Sequence, residues 1–444
     1  MTHPSESYVG EWQRAADLSR HAGPQGIRRL RVEAWEQFLS LGFPSTRDED
    51  WRFTSVAPIA DGDFALALPS PAVQTEGAVA PFRLPLTLAA ELVFVDGRYA
   101  PALSRRGTLP HGARVESLAA SLATDGYGLA PYLGHVAPFQ RQPFVALNTA
   151  FLGEGACIRL PAGAILAAPI HVLFVSTGAQ RGRPIMTHPR VLVVLDGNSQ
   201  ASLVETHAGP AGARYLTNAV TEVVLGENAV LDHYKLQYES DEAYHVGAMY
   251  LEAQRSATCT SNSISMGGAL VRNEIVASLD GEGVECTLNG LYLADAARLV
   301  DHHTTIDHAR PHCGSRELYK GILSDHARGV FNGKIIVRPD AQKTDARQTN
   351  RALLLSEDAL INTKPQLEIF ANDVKCTHGA AVGQLDDDAR FYLRSRGLSD
   401  EEARRMLVHA FAADVLNRLP LAAVRTHVEK RLQQQLARAW PAAA

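Results

Sequence analysis

Cys376 and His378 stand two positions apart in NDVKCTHGAAVGQLD, residues 372–386, just ahead of a Gly/Ala-rich bend. In a β-strand, residues i and i+2 project from one face, so thiol and imidazole become neighbours. Thiolate and imidazole are both ligands for iron and zinc. Two ligands do not complete a four-coordinate site, and this segment supplies no others. A nucleophile paired with its base needs a third group to orient the histidine, and none stands nearby in sequence. The remaining alternative is a small packed cysteine beside a hydrogen-bonded histidine. On residue types alone, part of a metal site, covalent catalysis and ordinary packing all stay open.

A second concentration of chemistry-bearing residues is LVDHHTTIDHARPHCGS, residues 299–315, with His302, His303, His308, His312 and Cys313. Strand parity puts His302 and His308 on one face and His303 and Asp307 on the other. The run does not converge on one ion unless the bend at Pro311 folds it back. A polar ladder satisfied by neighbouring strands is the expectation, and a self-sufficient metalloprotein is its competitor. Asp386, Asp387 and Asp388 are consecutive, so their side chains diverge. They do not resemble the paired carboxylates of a glycosidase, which sit at a set separation, and read instead as the solvated start of a helix, where negative charge is favoured. No GxxxxGK[ST] is present and no GxGxxG follows a strand, so no nucleotide fingerprint appears.

The bulk properties narrow the classes. The chain has 444 residues, 46% of them apolar, enough for a large packed core. Its net charge of −5 argues against a nucleic-acid surface, which needs a clustered basic excess. The five cysteines, Cys157, Cys259, Cys286, Cys313 and Cys376, are scattered and form no CxxC pair. That is a poor disulfide or zinc-finger framework and suits a reducing compartment. The N-terminal stretch is polar and does not read as a signal peptide. The longest apolar run, Ala164 to Val175, has 12 residues and contains Pro169 and His171, short of the roughly 20 a membrane span needs. A cytoplasmic protein with no membrane or nucleic-acid partner is expected.

Three regions must position these residues: 1–85, a helical region and linker; 86–384, a β core; and 385–444, a helical end. In the first, Ile27, Leu30, Ala34, Phe38 and Leu41 recur at helical spacing, with Gly42 and Pro44 as the stop. A second helix is placed near Val9–Ser19, and Pro69–Pro85 reads as a linker. From about Leu147 to Gly383 no amphipathic helix is evident. Instead, short β runs flank tight bends, as in 191–205, 221–236, 249–266 and 273–293. The bends at Gly163, Gly197, Gly226, Ser256, Gly283, Pro311, Pro339 and Ala371 recur every 27 to 34 residues. Such a period marks a stacked repeat. With strand rather than helix periodicity, the fold class is mainly β: a right-handed parallel β-helix (solenoid) flanked by N-terminal and C-terminal helical regions. A β-sandwich with irregular loops is the competing fold. In the last region Ser399 and Glu402 form a capping box, with Leu407, Phe411 and Val415 on one face. Val424, Val428, Leu432 and Leu436 then form an i, i+4 stripe that Trp440 extends.

Residues 316–416, from RELYKGILSDHARGVFNGK through VKCTHGAAVGQLDDDARFYLRSRGLSDEEARRMLVHAFAADVL, resemble the SufB/SufD family of iron–sulfur cluster assembly proteins along their whole length. The segment GFPSTRDEDWRFT, 42–54, resembles the N-terminal motif of the SufD branch. QTNRALLL, 348–355, carries Arg351 and no cysteine where SufB-type chains have a TQCDSLL-like stretch. VKCTHGAAV stands where they have VEHEATTS. Both departures point to the SufD branch. The resemblance implies a non-catalytic scaffold that pairs with a SufB-like subunit as a heterodimer and binds the ATPase SufC through its C-terminal helices. It implies a transient Fe–S cluster shared with SufB and none held stably by the lone chain. His378, and less directly Cys376, would then supply part of a site whose other ligands belong to the partner. A homodimer through the same strand edge is conceivable in isolation. The alternative function is a β-helical polysaccharide lyase or hydrolase.

Overall fold

Seven residues at one family of bends adopt the left-handed conformation: Gly163, Asn198, Asn228, Ser256, Gly283, His312 and Lys343, with φ between 56° and 74°. Glycine and asparagine enter this region at little cost. In the computed structural model, which describes residues 5–18, 24–68 and 74–439, each of these residues donates its backbone N–H to a carbonyl of the next bend. The acceptors are Gly197, Glu227, Arg255, Glu282, Pro311, Gln342 and Asp373, at 2.7 to 3.2 Å. Three bends fall on the predicted residue, at Gly163, Ser256 and Gly283. The other four lie within four residues of the predicted Gly197, Gly226, Pro311 and Pro339.

Between bends the chain forms strands that stack in parallel, turn on turn. One sheet runs through Gly155–Leu160, Arg190–Leu195, Tyr215–Leu225, Tyr244–Ala253, Leu270–Leu279, Leu299–His308, Arg328–Val337 and Leu360–Ile369. The facing sheet runs through Ala90–Val95, Ile170–Val175, Gln200–Ala208, Val230–Tyr238, Thr258–Ser265, Glu285–Ala294, Gly314–Leu323, Asp345–Leu354 and Lys375–Gly383. The expected parallel β-helix is therefore present, and the sandwich is excluded. Each register stacks equivalent residues, as in Ala201, Leu231, Cys259, Cys286, Ser315, Ala346 and Cys376. Parity separates the faces. Met249 and Leu251 point into the solenoid core, while Val246 and Tyr250 pack outward under the N-terminal helices.

Helices cover both outer faces. Helix Gln25–Leu41 ends as predicted at Gly42, whose N–H bonds Phe38 O at 2.8 Å, and it buries Ile27, Ala34, Trp35 and Phe38. Glu6–Leu18 is the second expected helix. The predicted linker is structured at Glu76–Phe82, where a short α-turn passes into a 3-10 turn; residues 69–73 lie outside the described residues. Helices Leu118–Leu129 and Pro143–Ala150 interrupt the strands before the regular stack begins. The second is fastened by a fully buried ion pair, Arg190 to Glu222 at 2.8 Å. Arg190 reaches Asn148, and Glu222 accepts the N–H groups of Gly134 and Ala137, each at 3.0 Å. Such a pair is viable in the core because most of its remaining polar atoms are hydrogen-bonded, Arg190 Nη2 being the exception.

At the other end, helices Asp387–Ser395, Asp400–Leu416 and Ala422–Ala439 follow the last strand. Both halves of the Ser399/Glu402 capping box are made. Val424, Val428, Leu432 and Leu436 are buried as expected, against Leu236, Ile264, Leu291 and Leu318 of the second sheet. Trp440 is outside the described residues. On the preceding helix the predicted face is borne out in part, with Val415 buried and Phe411 packed at the edge of the same cluster. Ala403, Val408, Ala412, Val415 and Leu416 are buried, whereas Leu407 and Phe411 are only half-buried. The small alanines bring the helix close to the sheet, and Phe411 instead lies 4.2 Å from the buried Lys320 ammonium.

Candidate functional site

The last turn of the solenoid is uncovered. Among the described residues, Lys375–Gly383 pairs with one strand, Asp345–Leu354, and Leu360–Ile369 with one strand, Arg328–Val337, so each leaves a free β edge. Apolar side chains stand open there, including Leu360 at 53% exposure and Phe370 at 61%, with Val382 close behind. Unpaired edges with apolar side chains are templates for pairing with another chain.

Cys376 and His378 lie on this terminal strand, and parity places them on one face, as their spacing implied. That face continues the inner one. Cys376 is in register with buried Ala346, and His378 with buried Gln348. Cys376 is half-buried beside Ile335, Val337 and Ala346, and burial pushes its thiol pKa up. His378 is exposed because no further turn closes over it. Beneath it, Gln348 donates to Glu317 at 2.8 Å. Burial raises the Glu317 carboxyl to about 7. No cluster of three or more potential ligands exists among the described residues, so Cys376 and His378 remain a pair.

The 299–315 run separates as parity required. His302 is buried between Tyr292 and Tyr319, at ring distances of 5.0 and 5.3 Å. His308 bonds Ser315 Oγ at 2.9 Å. Cys313 donates to Gly281 O, and His312 occupies an exposed left-handed bend. His303 lies on the outer face, 3.1 Å from Asp301. Burial alone would raise the Asp301 pKa, but Arg272, His303 and Thr54 hold it well below the carboxylate range. The 42–54 motif docks at this point. Arg272 stacks over Trp51 at 4.4 Å and bonds Asp50 O at 2.8 Å, and Thr54 donates to Asp301. The motif is thus a clamp between the N-terminal helices and the solenoid. Asp386 caps the following helix through the N–H groups of Asp388 and Ala389, which accounts for the acidic triplet.

Sequence reading missed a third constellation. The solenoid interior is divided lengthwise. The half beside the left-handed bends is apolar, and the other half holds a file of buried polar groups. His171 bridges Glu91 at 3.1 Å and Thr206 at 3.0 Å. Glu205 accepts from His207 at 2.7 Å and from Thr221 at 2.9 Å. Glu239 pairs with His245 at 2.8 Å and accepts from Thr217 at 2.6 Å. Lys235 donates to Asn273 at 2.7 Å. Burial and the Lys235 charge lower the His245 pKa to about 4. The file continues through Ser261, Asn273, His302, Glu317 and Gln348, and His378 is its exposed end. The signal lay in charged residues at inward parity, but they recur once per turn and form no local motif.

Comparison with known proteins defines the class. Residues 174–411 match the SufBD core domain of the SUF system for FeS cluster assembly, and residues 2–172 match the SufBD protein N-terminal region. The chain belongs to this family. Its relatives include a SufBD family iron–sulfur cluster assembly protein of Synechocystis, 35% identical over 87% of this chain and 86% of the relative. The iron–sulfur cluster assembly protein SufD of Escherichia coli is 34% identical over 90% and 91% of the two chains. SufD of Bacillus subtilis is 24% identical over 94% and 95%. Among the described residues no helix is long and apolar enough to cross a membrane.

Proposed function

We propose that this chain is the SufD-type scaffold of a cytoplasmic SUF assembly complex, pairing through its open end with a SufB-like subunit. The carrying observation is that Cys376 and His378 sit on the inner face of a terminal strand with one free edge. A partner strand laid along that edge supplies hydrogen bonds and covers the exposed apolar residues. It also brings a second set of side chains to His378, so that a nascent iron–sulfur cluster forms between the chains and is cargo rather than a resident group. His378 is the accessible ligand of the pair; Cys376 is the more shielded.

The C-terminal helices serve as the handle for the SufC ATPase. Phe391, Tyr392 and Met406 project from them into solvent, Phe391 at 73% exposure. Lys320 anchors the Asp400–Leu416 helix to the solenoid through Phe411 O, at 2.8 Å, and Asp414. A displacement of the helices by ATP-driven closure would pass through that anchor to the second sheet and the seam. The test is co-expression with SufB-like and SufC-like subunits followed by affinity purification. His378→Ala should leave the complex assembled and cut cluster yield at least several-fold. Unchanged yield removes the ligand role, and failure to co-purify the wild-type subunits removes the scaffold reading.

A further inference from the structure

A cleft of about 670 Å³ opens between the N-terminal helices and the early solenoid turns, remote in strand order from the open end. Its walls include Trp12, Arg31, Leu122, Phe151, Gly153 and His188. Its volume is that of a small-molecule site. Two of its walls are flat: Trp12 stacks on Trp35 at 4.9 Å and 5°, and Phe151 on His188 at 4.5 Å and 8°.

Its polar groups are unspent donors. The Asn218 side-chain nitrogen is fixed by donation to Phe144 O at 2.9 Å, and it stands 3.3 Å from His188 Nδ1. Nδ1 must therefore accept, which places the imidazole proton on Nε2. His188 is only 6% exposed, and its Nε2 has no hydrogen-bond partner among the described residues. Burial drives its pKa down to about 3, so the ring is neutral at physiological pH. Arg31 Nε and Nη1 are likewise buried without acceptors. Burial lowers the Arg31 pKa only to about 10, so it stays cationic. The carboxylates of the cleft are engaged elsewhere. Asp96 accepts from Thr177 N and Oγ1, and Glu154 faces Arg98 at 3.8 Å, leaving Oε2 open to a ligand hydroxyl or N–H.

Unpaired buried donors beside the Arg31 cation, in a cleft that Arg28 also lines, call for an anion, because unpaired buried polar groups are costly. We infer that this cleft binds a small organic carboxylate on a flat apolar body, its anion held by Arg31 and the His188 Nε2–H and its ring laid against Trp12 and Phe151. The neutral imidazole contributes a hydrogen bond rather than a charge, and the flat apolar walls favour an aromatic carboxylate over inorganic phosphate.

The test is calorimetric titration of the full-length protein with 2-naphthoate, 2-naphthamide and inorganic phosphate. Saturable binding of one naphthoate per chain is expected, with the amide at least tenfold weaker and phosphate unable to compete. That comparison needs no variant. Arg31→Met should weaken naphthoate at least tenfold. Gly153→Leu should do the same by filling the cleft, since a Cβ there would stand 3.6 Å from Arg31 Nη2 in ordinary van der Waals contact. Circular dichroism checks that both variants fold. No saturable naphthoate binding up to millimolar concentration, equal affinity for the amide, competition by phosphate, or unchanged binding in both folded variants would each overturn the assignment.

Discussion

At the residue scale, chemistry here depends on what lies beneath a side chain as much as on the side chain itself. His378 rests on Gln348, which is bonded to Glu317. The raised Glu317 pKa means that the fold keeps a proton which the unfolded chain releases near its ordinary value of 4.5. Stability from this group is therefore full below about 4.5 and is lost as pH rises towards about 7. Glu317→Gln keeps an acceptor for Gln348 and removes the titration. The variant should match wild type in urea unfolding at pH 5 and exceed it at pH 8 by on the order of 2 kcal/mol. A constant difference at the two pH values would show that burial of the carboxyl is not the cause. The shared face of Cys376 and His378 was legible from spacing alone. Their place at the mouth of a polar interior was not, because it depends on residues such as Lys235, Glu317 and Gln348 that meet their partners only when turns stack.

At the element scale, the bends carry register and the helices carry attachment. Asn228 holds φ at 57° and joins the side-chain ladder through Asn198 at 3.1 Å. Asn228→Ala should cost about 1–2 kcal/mol in denaturant unfolding, because alanine keeps the left-handed strain and loses the side-chain hydrogen bond that offsets it. Asn228→Gly should cost less; the reverse order would mean that the bend is not set by backbone conformation. Lys320→Met removes the charged link between the second sheet and the Asp400–Leu416 helix while keeping an apolar stem. It should raise amide hydrogen exchange in 400–416 and leave the core strands protected. The strand runs and their bends were readable because each turn repeats one grammar of β run, small residue, β run. The 422–439 helix was readable for a similar reason, a clean stripe from Val424 to Leu436. The face of the 400–416 helix was read only in part, because large residues were weighted over alanines. Val408 and Ala412 join Val415 in the contact with the sheet, and Phe411 packs at its edge beside Lys320. Nothing in the local pattern of 118–150 announced two helices ahead of the regular stack.

At the scale of the whole molecule, buried histidines make the fold acid-sensitive. Burial lowers the pKa of His188 and His302 to about 3 and of His245 and His308 to about 4. The unfolded chain takes up these protons near 6.5, so it binds more protons than the native state between about 6.5 and 4, and stability falls with falling pH across that window. Each such histidine contributes up to about 1.4 kcal/mol per pH unit there. Urea midpoints should therefore drop steeply from pH 7 to pH 5, and a flat profile would contradict neutral burial of these rings. Two lysines at the open end, Ile369→Lys with Val382→Lys, should abolish capture of a SufB-like partner while leaving the urea midpoint of the isolated chain nearly unchanged.

The two ends of the stack are unlike. At the early end, antiparallel segments Arg114–Ser117 and Arg98–Tyr99 terminate the sheets, and helices lie over their flanks; at the late end the strands simply stop. A stack with matching ends would add copies head to tail without limit, the geometry of a filament. With one open pole and one blunt pole, pairing through the open end as proposed would join two chains and then leave no further edge for the stack to grow from.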